Sequence, residues 1–242
     1  MAFDAYNGGS GNWLQSANTL AHGIGIGRFS VAGWFYPTAI SAAIRVGYAS
    51  GGLGASLALM LTDSTFGKFA VWLGGTYRFD TALTANQWVH LCVTRGATGT
   101  ITGYVNGVAE ATTHIVLLSL PTEYQYISGA DSGSYSSKAN SAEVALWSGV
   151  TLSVSEVVAL AKRNKPPDVK TNGLKLYCPL TREKRDRWSF GSDFTAQNGT
   201  ATYTTHPQMI EQLPQATPDL TPGGGGGGGG AQNRYGLLMG VH

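Results

Sequence analysis

The chain has 242 residues, 43% of them apolar, and sixteen basic against fourteen acidic side chains leave a net charge of +2. That length holds one large β domain, or a domain with an appendage, and enough apolar material for a sizeable core. No apolar run reaches 18 residues, no Lys/Arg cluster offers a nucleic-acid footprint, and two cysteines cannot build a disulfide scaffold or a four-cysteine zinc site, so those classes drop out.

Read along the chain, short apolar segments alternate with turn signals. Residues 13–18 predict a first strand. FSVAGWFYP, residues 29–37, alternates with period two: Phe29, Val31, Gly33 and Phe35 on one face, Ser30, Ala32, Trp34 and Tyr36 on the other. Strands over 43–50 and 55–62 follow, and strands over 68–73 and 76–80 flank a predicted two-residue turn at Gly74-Gly75. QWVHLCVTR (87–95) is a strong strand. Asn106-Gly107, between runs 101–105 and 108–112, is the best short hairpin signal in the chain. Further strands are expected over 123–129 and 142–147. Ser153 and Glu156 form a capping box opening one short helix, with Val154, Val157, Val158 and Ala161 on its apolar face. Lys162, Arg163 and Lys165 suit its C-terminal end, and Pro166-Pro167 stop it. GLKLYCPL (173–180) returns to strand, and residues 190–205, around Asn198-Gly199, predict a closing hairpin.

Three stretches together resemble one known family. FSVAGWFYPTA is similar to the "F-x-hydrophobic-x-x-W-hydrophobic-x-P" strand of laminin-G-like, concanavalin A-like jelly rolls. QWVHLCVTRGATGTITGYVNGVAEAT resembles the same family's "W-x-H-V-x-V-T … Y-V-N-G-V" double strand. VALWSGVTLSVSEVVALAKRN followed by LKLYCPL resembles its closing strand, helix and "L-x-x-Y-W-P-L" strand, with Cys178 where an aromatic often stands. The resemblance covers residues 3–206. It implies an all-β fold: a two-sheet antiparallel jelly-roll sandwich with one short helix outside, residues 1–206 forming the domain and residues 207–242 a Pro/Gly-rich linker and C-terminal arm.

The fold does not choose the function. Glycosidases of this fold carry an E-x-D-x-x-E strand. The six Glu and eight Asp never fall in that pattern, and Glu183 and Asp186, in TREKRDRW, read as a solvated loop. No catalytic residue is assigned and the chain is read as a non-enzyme. Calcium needs six to eight oxygens, whereas Asp63, Asp80 and Asp131 stand singly in separate loops. No metal or other cofactor is assigned; Asp131 is the best placed of the three for the single calcium ion that members of this family sometimes hold. His90, Cys92 and Thr94 share a strand face and read as core packing. Spacing does not decide whether Cys92 and Cys178 pair, and buried free thiols are the default. Asn198-Gly-Thr matches a glycosylation sequon but reads as a turn. The six tryptophans are the natural sugar-stacking side chains. In a sandwich most pack between the sheets, which leaves Trp188 and Tyr203 as the candidate sugar-binding residues.

The C-terminal segment is the least ordinary feature. LPQATPDLTP (213–222) is extended and semi-rigid, and Gly223–Gly230 is a pure glycine tract spanning on the order of 15 Å if free. Beyond it lie Arg234, Tyr235, Leu237, Leu238 and Met239. Glycines carry no anchoring side chains and lose the most entropy on ordering, so a fixed shape requires walls from another protein, and an apolar end seeks a groove or sheet edge. Only 12% of residues are charged, against a typical ~25%, so the surface repels neighbours weakly, as suits dense packing; the alternative is an ordinary secreted-type β domain. These features together predict a virion structural protein, a bacteriophage capsid decoration or fibre-associated protein held by its arm. Its expected partners are capsid or fibre subunits and further copies of itself, with neither nucleic acid nor membrane. The start MAFDAYNGGSGNW shows no signal peptide, which fits assembly in the host cytoplasm. The alternative is a carbohydrate-binding adhesin.

Overall fold

The computed structural model describes residues 2–4, 13–17, 19, 27–40, 45–51, 57–62, 67–116, 124–129, 139–180, 194–197, 202–204 and 206–209. In chain order the elements are β1 (Ala2–Asp4), β2 (Trp13–Ser16), β3 (Phe29–Pro37), β4 (Arg45–Ser50), β5 (Leu57–Thr62), β6 (Lys68–Leu73), β7 (Thr76–Ala82), β8 (Val89–Arg95), β9 (Thr100–Val105), β10 (Val108–Ile115), β11 (Gln125–Ile127) and β12 (Ala139–Ser148), then α1 (Val154–Ala161), α2 (Pro166–Val169), β13 (Leu174–Cys178), β14 (Phe194–Gln197) and β15 (Thr202–Thr204). They form two antiparallel sheets. One has eight strands, β10-β9-β8-β3-β12-β1-β15, with β13 also paired to β12; the other has seven, β14-β2-β11-β4-β5-β6-β7. This is the expected jelly-roll sandwich.

Period-two alternation aims one face of each sheet inward. Phe29, Val31, Phe35, Leu91, Val93, Val144 and Leu146 from the larger sheet meet Leu57, Leu59, Leu61, Phe69, Val71 and Phe79 from the smaller. Two rings seat on strand glycines across the gap. A Cβ on Gly47 would stand 2.6 Å from the Phe35 ring, and one on Gly103 would stand 2.8 Å from Phe79. These two strand glycines are therefore packing positions. The two edge strands β7 and β10 are joined by side chains rather than a ladder. The Glu110 carboxylate accepts the Asp80 and Thr81 N–H groups at 2.8 and 2.9 Å, and Asp80 accepts the Thr112 N–H at 2.8 Å and its hydroxyl at 2.7 Å. Three backbone N–H groups of these edges are thereby paired.

Outside the larger sheet, α1 buries Val157 and Leu160 against Ala32, Cys92, Tyr104, Ala145, Trp147 and Tyr177. Its start is the capping box: Ser153 Oγ accepts the Glu156 N–H, and the Glu156 carboxylate accepts the Ser153 N–H.

Several expectations are corrected. Asn106-Gly107 is a two-residue turn with φ of 50° and 83°, but the turn at Gly74-Gly75 has three residues, because Trp72 pairs with Thr76 and Leu73 joins the turn. Pro166 and Pro167 open a second, one-turn helix rather than only stopping the first, since a proline at the first helical position forgoes an N–H that would be unpaired anyway. Residues 190–205 do not close a hairpin: β14 pairs β2 in one sheet and β15 pairs β1 in the other. The N-terminal β1 lacked a periodic signal because three residues are too few to show one. Asp80 lies in β7, not in a loop.

Candidate functional site

The described tryptophans do not pack between the sheets. Trp13 and Trp72 lie on the outer face of the seven-stranded sheet, and Trp34, Trp88 and Trp147 on the outer face of the eight-stranded one. The reason is positional. Each described strand tryptophan neighbours an inward aliphatic or aromatic residue such as Leu14, Phe35 or Val71, and alternation sends the indole the other way.

On the seven-stranded sheet this builds an aromatic-walled floor. The register runs Tyr126 to Ala49, Ala49 to Ala58, and Ala58 to Trp72. Tyr126 and Trp72 thus stand three strand spacings apart, about 14 Å, across two alanines. The next row adds Val46, Met60 and Ala70. Trp13 sits two residues along β2 from Gln15, the partner of Tyr126. Gly129 leaves room for it, since a Cβ there would stand 2.6 Å from the Trp13 Cβ. The indole N–H groups of Trp13 and Trp72 are both buried and, among the described residues, have no acceptor. Trp72 stays partly exposed.

The opposite outer face carries a second aromatic group beside α1. Trp34 packs 5.4 Å from the His90 ring, and Tyr36 lies 5.6 Å from Trp88. His90 is fully buried, which pushes its pKa down to about 3, so it is neutral. Cys92, also buried, has its thiol pushed well above the ordinary range by the same desolvation. A buried neutral imidazole and a protonated thiol are packing groups, as expected. At the bulge in β12, Glu143 adopts φ 53° and its carboxylate accepts the Tyr177 hydroxyl at 2.7 Å and faces His206 Nε2 at 3.1 Å. Its period and sequence neighbours gave no sign of this role.

The sequence candidates fare unevenly. Trp188, Asp63, Asp131, Glu183, Asp186 and the arm residues Gly223, Gly230, Arg234, Tyr235, Leu237, Leu238 and Met239 lie outside the described residues. Tyr203 is in β15, paired with Phe3 at the edge of the larger sheet, and not beside either aromatic group's central strands. Asp80 spends its carboxylate on Thr112, whose bonds hold it below the usual carboxylate range. Cys92 and Cys178 are both buried and are not joined by a disulfide, and three strand spacings separate β8 from β13. Among the described residues no three His, Cys, Asp or Glu side chains gather as metal ligands, and no helix is long and apolar enough to cross a membrane. The missed residues, Trp13, Trp72 and Tyr126, had one usable signal: each alternates against an inward neighbour in its strand.

No curated protein matches the chain by sequence. Among solved structures it is similar to a Bacteroides ovatus protein described as carbohydrate-binding, with 17% identity and TM-score 0.62 over 87% of this chain and 61% of that one. The chain thus spans about three fifths of that relative. It is also similar to the heptameric SAP-like pentraxin of Limulus polyphemus, with 12% identity and TM-score 0.55 over 83% of this chain and 92% of the pentraxin. Both likenesses are of fold. Residues 7–158, well over half of the chain, match the model of the concanavalin A-like lectin/glucanases superfamily, Laminin_G_3, and the chain belongs to that family.

Proposed function

We propose that this protein is a non-enzymatic carbohydrate-binding module whose ligand lies on the outer face of the seven-stranded sheet. The observation that carries the reading is the partly exposed Trp72 indole on the outer face of a sheet of a concanavalin A-like lectin/glucanase fold. The apolar face of a pyranose ring stacks on Trp72, while Tyr126, Ala49 and Ala58 are buried and pack beside it. Aromatic rings with one polar tip suit such a ligand, which is apolar on its faces and polar at its rim. The fold-level likeness to a protein described as carbohydrate-binding agrees with it.

Titration of tryptophan fluorescence with a panel of soluble polysaccharides is expected to give saturable binding. Trp72→Ala should weaken it about tenfold or more. Absence of saturable binding across the panel, or Trp72→Ala binding as wild type does, sinks the reading.

A second reading rests on the sequence of residues 207–242. We propose that this arm tethers a domain of residues 1–206 to a neighbouring subunit in a virion, with Leu237, Leu238 and Met239 as the anchor. Deleting residues 213–242 is then expected to leave a folded monomer that no longer joins the particle. Full occupancy by the truncated chain rules this out.

A further inference from the structure

α1 ends in a hydrogen-bond pattern that favours glycine, yet an arginine occupies the key position. The Asn164 N–H bonds Ala159 O at 3.2 Å and the Arg163 N–H bonds Leu160 O at 2.9 Å, the six-to-one and five-to-two bonds of a Schellman ending. The residue between them must be left-handed, and Arg163 has φ 71°. Glycine takes this conformation freely; an arginine holds it at a cost in stability. Such a cost at an exposed position asks what the side chain does.

Its guanidinium carbon lies 5.9 Å from the centroid of the Trp34 ring. Among the described residues no carboxylate pairs with it. Guanidinium is a planar fork of donors matched to carboxylate, so Arg163 presents that fork outward with an aromatic ring at its back. The buried carboxylate of Glu143, which shares a crevice with Trp34, is already engaged by Tyr177 and His206.

The surface beside it is built from two rows on three strands. One row is Ala142, Trp34 and His90; the next, two residues along each strand, is Asn140, Tyr36 and then Trp88. Tyr36 and Trp88 are half-buried, with ring faces tilted 58° to each other. A half-exposed aromatic shelf and one cation that has no carboxylate partner among the described residues stand together on one face.

We infer that this face of the eight-stranded sheet binds a sugar bearing a carboxylate, a uronic-acid unit, with Arg163 on the carboxylate and Tyr36 and Trp88 against the ring. The inference rests on the chain being a sugar binder, but on the face opposite the one assigned above, so the two can fail separately.

The test is calorimetric titration with a galacturonate trimer and the galactose trimer of the same linkage, in the Trp72→Ala background at low salt. The carboxylated trimer is expected to bind about tenfold tighter, the worth of one charge-assisted contact. Arg163→Gly is expected to fold, to melt about 2 °C higher because glycine suits its φ, and to lose the preference. Trp88→Ala should weaken both trimers alike. Equal binding of the two trimers, a preference that survives Arg163→Gly, or no binding of either in the Trp72→Ala background overturns the inference. Displacement of the trimer by equimolar acetate does so too, since it would reduce the site to a general anion contact.

Discussion

Replacing Arg95 with methionine should cost the fold about 3 kcal/mol. Arg95 ends β8, is 1% exposed, and sends Nε and Nη2 to the Val116 carbonyl at 3.1 and 2.7 Å while Nη1 reaches the Gly27 carbonyl. Its own carbonyl accepts the Thr151 hydroxyl at 2.8 Å. The side chain therefore holds together the segment entering β3 and the segment leaving β10, while its main chain holds the approach to α1. Methionine fills much of the volume but leaves the buried Val116 carbonyl without these donors and unties the Gly27 carbonyl. Lysine keeps the charge but lacks the planar fork that spans two acceptors, so Arg95→Lys should fall between the two. Urea unfolding of the three proteins checks this. An Arg95→Met variant within about 1 kcal/mol of wild type, the size of an ordinary single hydrogen bond, would show that the clamp is dispensable.

The second large effect is a loss of stability on mild acidification. His90 has an ordinary value of 6.5 and a folded pKa near 3, because burial disfavours its charged form. Between those values the unfolded chain binds a proton that the folded chain does not, so stability rises with pH across the window and falls as pH drops below 6.5. The slope is about 1.4 kcal/mol per pH unit. The lowered carboxylates act elsewhere. Asp80 is held down by Thr112. In Glu156 burial raises the pKa but the bonds from Lys170 and Ser153 outweigh it. Both contribute fully above their ordinary values of 3.8 and 4.5 and lose that contribution as pH falls through the lower folded values. Between about pH 6.5 and 5 the histidine contribution therefore stands apart from theirs. His90→Phe, which keeps a ring against Trp34, should flatten the stability profile in that window. Parallel profiles for variant and wild type would falsify the assignment.

Much of the sandwich was legible in the chain. The strand over Phe29–Pro37, the Asn106-Gly107 turn and the Ser153–Glu156 cap depend on residues within a few positions of one another, and local periodicity, turn chemistry and capping report such features directly. The candidate sites were not legible in the same way. Trp72 and Tyr126 are more than fifty residues apart and meet across strands β4 and β5; Arg163 reaches Trp34 over a longer separation still.

Composition, alternation and motif order determined that this protein is a two-sheet β sandwich with a capped helix outside. Only the tertiary structure decided that the described tryptophans face outward, that β14 and β15 part to different sheets, and that Arg163 stands over an aromatic ring. Alternation states that neighbours face opposite ways, but which face becomes the core depends on what the other sheet brings to it. That choice is made when the two sheets pack, by Phe35 on Gly47 and Phe79 on Gly103, where a larger residue would not fit.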